Sequence, residues 1–223
     1  MRLFNPIIAG ANLRQRLIAC LGAAVGIALT ILVCAELPLA TADLPTIVAP
    51  LGASAVLAFA VPASPLAQPW PVVGGNIVSA LVGVAAFNAV PNTMVAAGVA
   101  VGGAILLMSL LRCLHPPGGA AALTAVIGGQ NIHAAGFAFA FAPIGINSIA
   151  LVLLAMFFHW ATGHSYPHRA ANLPVEAGAS GLHLADIDAA LEELHESFDI
   201  TREDLDVLLS RAELHAVARQ AKA

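Results

Sequence analysis

Six apolar segments follow one another along the chain, separated by short runs rich in polar residues, proline and glycine. They are Leu17–Leu37, Leu44–Val61, Val72–Val90, Met94–Leu114, Pro117–Ile127 and Phe137–Ala161. Four of them reach about 20 residues, the length that an α-helix needs to cross the hydrocarbon layer of a bilayer. The pattern therefore predicts an all-α membrane protein with at least four spans.

The second and fifth segments are too broken or too short to cross a bilayer as single helices. Pro50 and Gly52 interrupt the second segment and leave a clean helix of about 11 residues, and Pro117–Ile127 has the same length. At a rise of 1.5 Å per residue, such a helix covers about 16 Å, roughly half of the hydrocarbon core. We expect half-helices or re-entrant segments here, so the chain contains either four full spans or six crossing segments.

Composition and charge support a membrane protein and divide the chain in two. Hydrophobic residues make up 59% of the sequence and charged residues 10%, against about 25% charged residues in ordinary globular domains. Residues 1–169 carry five basic and two acidic side chains, whereas residues 170–223 carry four basic and eleven acidic ones. We expect a transmembrane domain over residues 1–165, a linker over 166–181 and a water-exposed cytoplasmic tail over 182–223.

The tail has the pattern of a helical hairpin. Leu184, Ile187 and Leu191 recur at helical spacing, with acidic residues on the opposite face. Thr201 followed by Asp204 resembles the capping box that opens a second helix.

Basic residues indicate the orientation of the membrane domain. An even number of segments places both termini on one side. The basic residues near the termini lie on that side, and Arg112 lies there in a six-segment count. By the positive-inside rule, both termini are then cytoplasmic, and we expect a bacterial inner membrane. The first segment is longer than the 7–15 apolar residues of a signal peptide, so we interpret it as a retained helix. The basic residues that carry this prediction are Arg2, Arg14, Arg16, Arg112 and Arg169.

The two halves of the apolar region resemble each other. The stretch that begins at Pro50 aligns with the one that begins at Pro117, and the stretch around Asn76 aligns with the one around Asn147. Each half has a long helix, a short helix opened by proline and glycine, and a long helix with a buried asparagine. Because three segments per half is an odd number, we expect inverted repeats, an architecture of transporters that bind substrate at the repeat interface. Chance similarity between helices rich in small residues is the alternative.

The starts of the two short helices are the candidate binding site. Proline suits the first position of a helix, and glycine lets another group approach the backbone closely. A helix N-terminus in a low dielectric attracts an anion. No acidic residue lies in the interior of an apolar segment, which favours a small anion or a neutral solute over a metal cation. The candidate substrate-binding residues are Pro50, Gly52, Ser54, Asn76, Arg112, His115, Pro116, Pro117, Gly118, Gly119 and Asn147.

Each of these residues also has a purely structural interpretation. The prolines and glycines are typical of helix kinks, and His115 is typical of a helix cap or of a bond to a backbone carbonyl. Asn76 and Asn147 suit hydrogen bonds between helices, and Arg112 either attracts anions or sets the topology. No nucleophile–base pair and no metal-ligand spacing is apparent, so we expect neither an enzyme nor a metal or other cofactor.

The motif around His115 carries a family resemblance. The run Arg112–Ala120 resembles the signature of the HPP family of integral membrane proteins, and Pro50–Leu57, Pro62–Pro69 and Gly74–Asn76 resemble its other blocks. The resemblance covers roughly residues 15–165. It implies four or more transmembrane segments, and nitrite transport is implicated for plastid and cyanobacterial members. Many bacterial relatives continue into paired CBS domains, and we expect none in this chain.

These observations together favour a channel or transporter for a small inorganic anion, with nitrite as the first choice. We expect it to lie in the lipid bilayer as a homo-oligomer, most simply a dimer, and we expect no nucleic acid partner. The alternatives are a pathway for a small neutral solute and a membrane-embedded sensor or scaffold that signals through the tail.

Overall fold

A computed structural model describes residues 13–36, 44–170, 184–194 and 199–220, and all regular structure within these ranges is helical. Parts of the predicted linker and tail, and the first twelve residues with Arg2, lie outside the described residues. The chain divides into two compact units. The first comprises Met1–Pro62 and Leu66–Pro167, and the second comprises Ala63–Pro65 and His168–Ala223.

The first unit contains seven α-helices in its described part. The π-helical turn Pro71–Gly75 extends α3 at its N-terminus, and the segment Ala140–Gly145 leads into α7 with a break at Ala142, whose φ of −131° and ψ of 114° are not helical. A 3-10 turn lies at Pro65–Ala67. The helices are α1 (Leu13–Ala35), α2 (Pro50–Ala60), α3 (Asn76–Ala89), α4 (Thr93–Leu110), α5 (Pro116–Ile127), α6 (Gln130–Ala135) and α7 (Ile146–Thr162).

Four of the described helices are long and apolar enough to cross a membrane, as the sequence pattern predicts. They are Leu13–Ala35, Pro71–Ala89, Thr93–Leu110 and Ala140–Thr162. The helices α2 and α5 are short, with 11 and 12 residues, which agrees with the half-helices expected there. Leucine, valine and phenylalanine dominate the exposed positions of the long helices, including Leu21, Leu106 and Phe157. An apolar outer surface of this kind suits contact with lipid rather than water.

The end of α4 differs from the sequence expectation. The fourth apolar segment runs to Leu114, but α4 ends at Leu110 because the next residues form a Schellman cap. The N–H of Cys113 donates to the carbonyl of Met108, the N–H of Arg112 donates to that of Ser109, and Arg112 adopts φ 55°. Glycine usually occupies this left-handed position. Because arginine stands here instead, no local signal marks the end of the helix.

The segment before the last span also differs. A separate short helix, α6, occupies Gln130–Ala135, and Gly136 ends it with φ 54°. The last span accordingly begins at Ala140 rather than at Phe137.

Helix packing forms two groups that share a centre. The helix α1 packs against α2 and α7, whereas α4 packs against α3 and α5. The two groups meet where α2 contacts α5, where α3 contacts the segment Ala140–Gly145 and where α7 contacts the turn Pro71–Gly75. Alanines at a spacing of four residues form the buried face of α4, namely Ala96, Ala100 and Ala104. Small residues let the helix backbones come close together, as is usual in membrane bundles.

The second unit contains α8 (Leu184–Leu194) and α9 (Arg202–Gln220). Thr201 precedes α9, and its Oγ1 accepts a hydrogen bond from the N–H of Asp204 at 3.0 Å, which confirms the predicted cap. The Asp204 carboxylate also lies 2.9 Å from His168 Nε2. Arg202 forms an ion pair with Asp188 of α8.

Candidate functional site

The start of α5 meets the second turn of α2 in a buried polar contact. His115 occupies the N-cap position of α5, and its Nε2 lies 2.8 Å from Ser54 Oγ on α2. Asn76, the first residue of α3, donates from Nδ2 to Ser54 Oγ at 3.3 Å and to Ser148 Oγ of α7 at 3.1 Å. All four side chains are at most 1% exposed. We call Ser54, Asn76, His115 and Ser148 the central polar cluster.

The hydrogen-bond directions in the central polar cluster follow from the partners of His115. Its Nδ1 lies 2.9 Å from the carbonyl oxygen of Leu66, and a carbonyl oxygen accepts but cannot donate. Nδ1 therefore carries a hydrogen, and Nε2 of the neutral ring is an acceptor. Ser54 must donate its hydroxyl hydrogen to Nε2, and Ser54 Oγ can then accept the hydrogen bond from Asn76. The tautomer of His115 thereby determines which group donates and which accepts in each of these hydrogen bonds.

One polar atom of this cluster has no partner. Asn76 Oδ1 is buried and makes no hydrogen bond, although Nδ2 of the same side chain donates to both serine hydroxyls. A buried polar atom without a partner costs about 1–3 kcal/mol. Such an atom in an otherwise paired network marks a place where a ligand or a water molecule can add a hydrogen bond.

Two glycines allow the helices to approach at this point. A Cβ atom at Gly118 would lie 2.6 Å from Ser79 Oγ and 2.9 Å from Met108 Sδ. A Cβ atom at Gly75 would lie 2.6 Å from the carbonyl oxygen of Cys113 and 2.7 Å from His115 Cβ. Since real Cβ atoms do not tolerate these distances, α3 and α5 can pack this closely only with glycine at both positions.

The amide donors at the helix starts are partly in use. Pro116 and Pro117 have no N–H, and the N–H of Gly118 donates to the carbonyl of His115. In α2, the N–H groups of Leu51 and Gly52 donate to the carbonyls of the residues three positions before them. Side chains rather than free amides therefore provide most of the hydrogen-bonding capacity at this site.

The structure brings some of the predicted site residues together and leaves others apart. Ser54, Asn76 and His115 meet directly, with Gly118 packed beside them. Three of the predicted residues are exposed and lie outside this contact, namely Gly52, Arg112 and Pro116. Pro50 and Pro117 are buried at the helix starts, and Gly119 is half-buried with room for a Cβ atom, which would meet only Val101 at 3.9 Å.

Asn147 belongs to a different buried network. Its Oδ1 accepts from the N–H of Val48 at 3.1 Å, and its Nδ2 donates to the carbonyl of Thr46 at 2.9 Å and to Cys34 Sγ at 3.1 Å. These contacts hold the extended approach to α2 against α7 and α1. The geometry agrees with the structural interpretation of this asparagine, a hydrogen bond between elements.

Sequence reasoning missed three contributors to the central polar cluster. Ser148 directly follows Asn147, but nothing local in the sequence indicates that it faces Asn76. The carbonyl of Leu66 gives no sequence signal at all. Gly75 could have been found, since it precedes Asn76 within a glycine pair at the start of a span.

The contact between Ser54 and His115 also has the geometry of a nucleophile–base pair, which the sequence did not reveal. A backbone carbonyl, rather than a carboxylate, orients the histidine. In the described part of the first unit, the single carboxylate side chain is that of Glu36, which follows α1 and is exposed. Both side chains of the pair are sealed from solvent.

Comparison with known proteins places this architecture in a family. Residues 8–167 match the family model described as the HPP transmembrane region. Two transmembrane proteins of Dictyostelium discoideum are similar to this chain. One is 40% identical over 131 residues, 56% of this chain and 46% of the relative, and the other is 42% identical over 120 residues, 52% of this chain and 38% of the relative. The chain thus spans less than half of the length of either relative. No solved structure matches the chain significantly.

Proposed function

The chain belongs to the HPP family of multi-pass membrane proteins, and from this premise we propose that it is a channel or transporter for a small inorganic anion, with nitrite as the first candidate. The proposed site is the central polar cluster. Its members come from α2, α3, α7 and the start of α5, so that a solute bound there contacts both helix groups at once.

The observation that carries this proposal is the meeting of the two short helices in a buried polar site without a carboxylate. Ser54 of α2 and His115 at the start of α5 are in direct contact, and the other members of the cluster are an amide and a hydroxyl. Hydroxyl, amide and imidazole groups can all donate hydrogen bonds. The positive end of the α5 dipole lies at His115 and adds to the attraction for an anion.

The packing pattern supports two repeats around this site. If α1, α2 and α3 are exchanged with α4, α5 and α7, the pairs of packed helices stay the same: α1 with α7 becomes α4 with α3, and α2 with α7 becomes α5 with α3. The third helix of each proposed repeat therefore packs on the first two helices of the other. A shared centre between such repeats is where transporters place their substrate.

We further propose the topology that the basic residues indicate, with both termini in the cytoplasm and the domain in a bacterial inner membrane. Arg14 and Arg16 lie exposed in the first turn of α1, where positive charge favours the cytoplasmic side. A homodimer remains the simplest proposed assembly.

Nitrite uptake into proteoliposomes that contain the purified protein tests the function. An inward proton gradient and a membrane potential, positive inside, are applied together so that either driving force is available. We expect uptake several times that of empty liposomes, and a loss of about tenfold in Ser54→Ala, because that change removes the hydroxyl that links α2 to His115.

Ser109→Ala is the matched control. Ser109 is an exposed helical serine whose Oγ donates to the carbonyl of Ile105 in its own helix, and its removal should leave uptake unchanged. Uptake no greater than that of empty liposomes, for nitrite and for a panel of small anions, would remove the proposal and favour a sensor or scaffold role.

A further inference from the structure

We propose that the anion crosses together with one proton and that His115 Nε2 is the atom that takes the proton up. This inference rests on the proposed anion pathway and specifies its second substrate. It starts from the charges around the central polar cluster.

An anion in this cluster has no fixed positive charge beside it. In the described part of the first unit, the charged side chains are all exposed, namely Arg14, Arg16, Glu36 and Arg112. The buried polar side chains of this unit are hydroxyls, amides and the histidines His115 and His159. Burial of a charge without a counter-charge is strongly unfavourable. The counter-charge must therefore arrive with the anion.

His115 is the group of the cluster that can become positive. Its Nδ1–H is held by the carbonyl of Leu66, so that the ring presents the lone pair of Nε2 towards Ser54. A proton from water that binds Nε2 forms an imidazolium ion. The new Nε2–H then donates, either to Ser54 Oγ or to the anion, and the pair of imidazolium and anion is neutral. Release of the anion and of the same proton on the other side restores the neutral ring.

Ser54 can accommodate this change without moving its backbone. While His115 is neutral, the hydroxyl hydrogen of Ser54 points to Nε2. After protonation it must turn away, and the carbonyl oxygen of Pro50 lies 3.4 Å from Ser54 Oγ in the same helix. The hydroxyl therefore has a second acceptor, and rotation about one bond reverses the hydrogen bond.

The neighbours of His115 provide no competing proton site within hydrogen-bonding distance. Ser54 faces it from α2, Gly75 packs against its Cβ from the turn before α3, and Leu66 accepts from its other nitrogen. Two other titratable groups of the first unit are buried, namely the thiol of Cys113 and the hydroxyl of Tyr166, which donates to the carbonyl of Ala67. Neither is bonded to the ring.

The unpaired Asn76 Oδ1 fits a ligand that brings a hydrogen. A bare anion offers acceptors alone, so this oxygen is paired only when the proton is on the solute, which is the neutral-acid alternative that the second test separates from protonation of His115. The same amide can donate from Nδ2 to the oxygens of the ligand. The cluster therefore offers complementary partners to an anion and to its proton.

The first test separates the two driving forces on the wild-type protein. Nitrite uptake is measured at alkaline pH, once with an inward proton gradient at zero potential and once with a potential at equal pH, while a trapped pH dye reports the lumen. We expect the proton gradient to drive uptake, the potential to have little effect, and one proton to enter per nitrite after subtraction of empty liposomes. Uptake that follows the potential without acidification would overturn the inference while leaving the anion pathway intact. No uptake under either condition would remove both.

The second test identifies the proton site. His115→Gln keeps a polar side chain of similar reach but cannot become positive, so we expect the proton gradient to lose its effect on uptake, with a drop of at least about tenfold. His159→Gln is the control, because His159 is likewise buried and bonded to a backbone carbonyl, that of Ala58, at the far end of α2. If His115→Gln retained uptake driven by protons at the wild-type stoichiometry, the proton would be crossing as part of a neutral acid and His115 would not be its carrier. If that variant fails to fold, the wild-type stoichiometry still decides whether a proton accompanies the anion.

Discussion

The two asparagines that open the last long helix of each proposed repeat have different surroundings. Asn147 has every hydrogen-bonding end paired, and two of its partners are backbone groups of Thr46 and Val48. Asn76 bonds to two serine hydroxyls and keeps one buried oxygen without a partner. One asparagine therefore fixes a loop, whereas the other belongs to a network that can rearrange.

This difference explains why two similar halves of the sequence do not form two equivalent binding sites. Backbone partners cannot turn, so the network of Asn147 has a single arrangement. Hydroxyl hydrogens rotate freely, so the network of Asn76 can accept or donate according to what is bound. The position of His115 beside Asn76 completes the asymmetry, since the aligned region before α2 carries Val48 there instead.

Alanine at each asparagine is the strongest test of this comparison. Both changes remove the same volume, but Asn147→Ala also leaves the N–H of Val48 and the carbonyl of Thr46 unpaired, at about 1–3 kcal/mol each. We expect Asn147→Ala to lower the free energy of unfolding by roughly 2–4 kcal/mol more than Asn76→Ala does. Thermal unfolding of both variants in the same detergent measures the difference. Equal losses would mean that the two asparagines have the same structural role.

Alanine at each of the adjacent glycines of α5, Gly118 and Gly119, tests the close packing of α5 against α3, the helix that begins at Asn76. Gly118→Ala forces a Cβ atom against Ser79 and Met108 and should destabilise the protein by about 1–3 kcal/mol. Gly119→Ala meets open space and should be neutral or stabilising by up to about 1 kcal/mol, since alanine favours the helix. The same unfolding measurement compares them. A reversed order would place the close contact at Gly119 and move the site by one residue.

The sequence predicted the short helices and the four spans because their signals are local. Consecutive prolines at Pro116 and Pro117 start a helix, and runs of apolar residues show their own length. The end of α4 could not be predicted, since Arg112 occupies a position where glycine is the usual signal. The contact of Ser54 with His115, 61 residues apart along the chain, depends on how α2 and α5 cross and has no local signature. The candidate residues were therefore found individually, whereas their grouping required the fold.

The Asp204 carboxylate of the second unit provides a test with a smaller expected effect, because this polar group is paired but accessible to water. Partial burial raises the pKa of the Asp204 carboxyl, but hydrogen bonds from Thr201 and His168 and the charge of His168 outweigh it and leave the pKa below its ordinary value. Since the folded pKa is lowered, the stabilisation is present above the ordinary pKa and is lost as the pH falls through the folded value. We expect the helical signal of the tail to weaken in acid and Asp204→Asn to remove this acid dependence, with an effect below about 1 kcal/mol. Circular dichroism during acid titration of the full chain and the variant measures it, and an unchanged titration in Asp204→Asn would contradict the assignment.

The π-helical turn Pro71–Gly75 gives the central polar cluster an unusual sensitivity to chain length. A π turn holds one residue more than an α turn, and each residue in a helix corresponds to a rotation of about 100°. Deletion of a single residue between Trp70 and Asn76 would leave an ordinary α turn and keep Asn76 on nearly the same face. Insertion of a single residue there would instead rotate Asn76 away from Ser54 by about 100°, with almost no change in hydrophobicity. Conventional substitutions alter one side chain at a time, whereas this edit would redirect a whole helix face. The spacing of this segment, counted in single residues, is therefore as much a part of the site as the identity of its side chains.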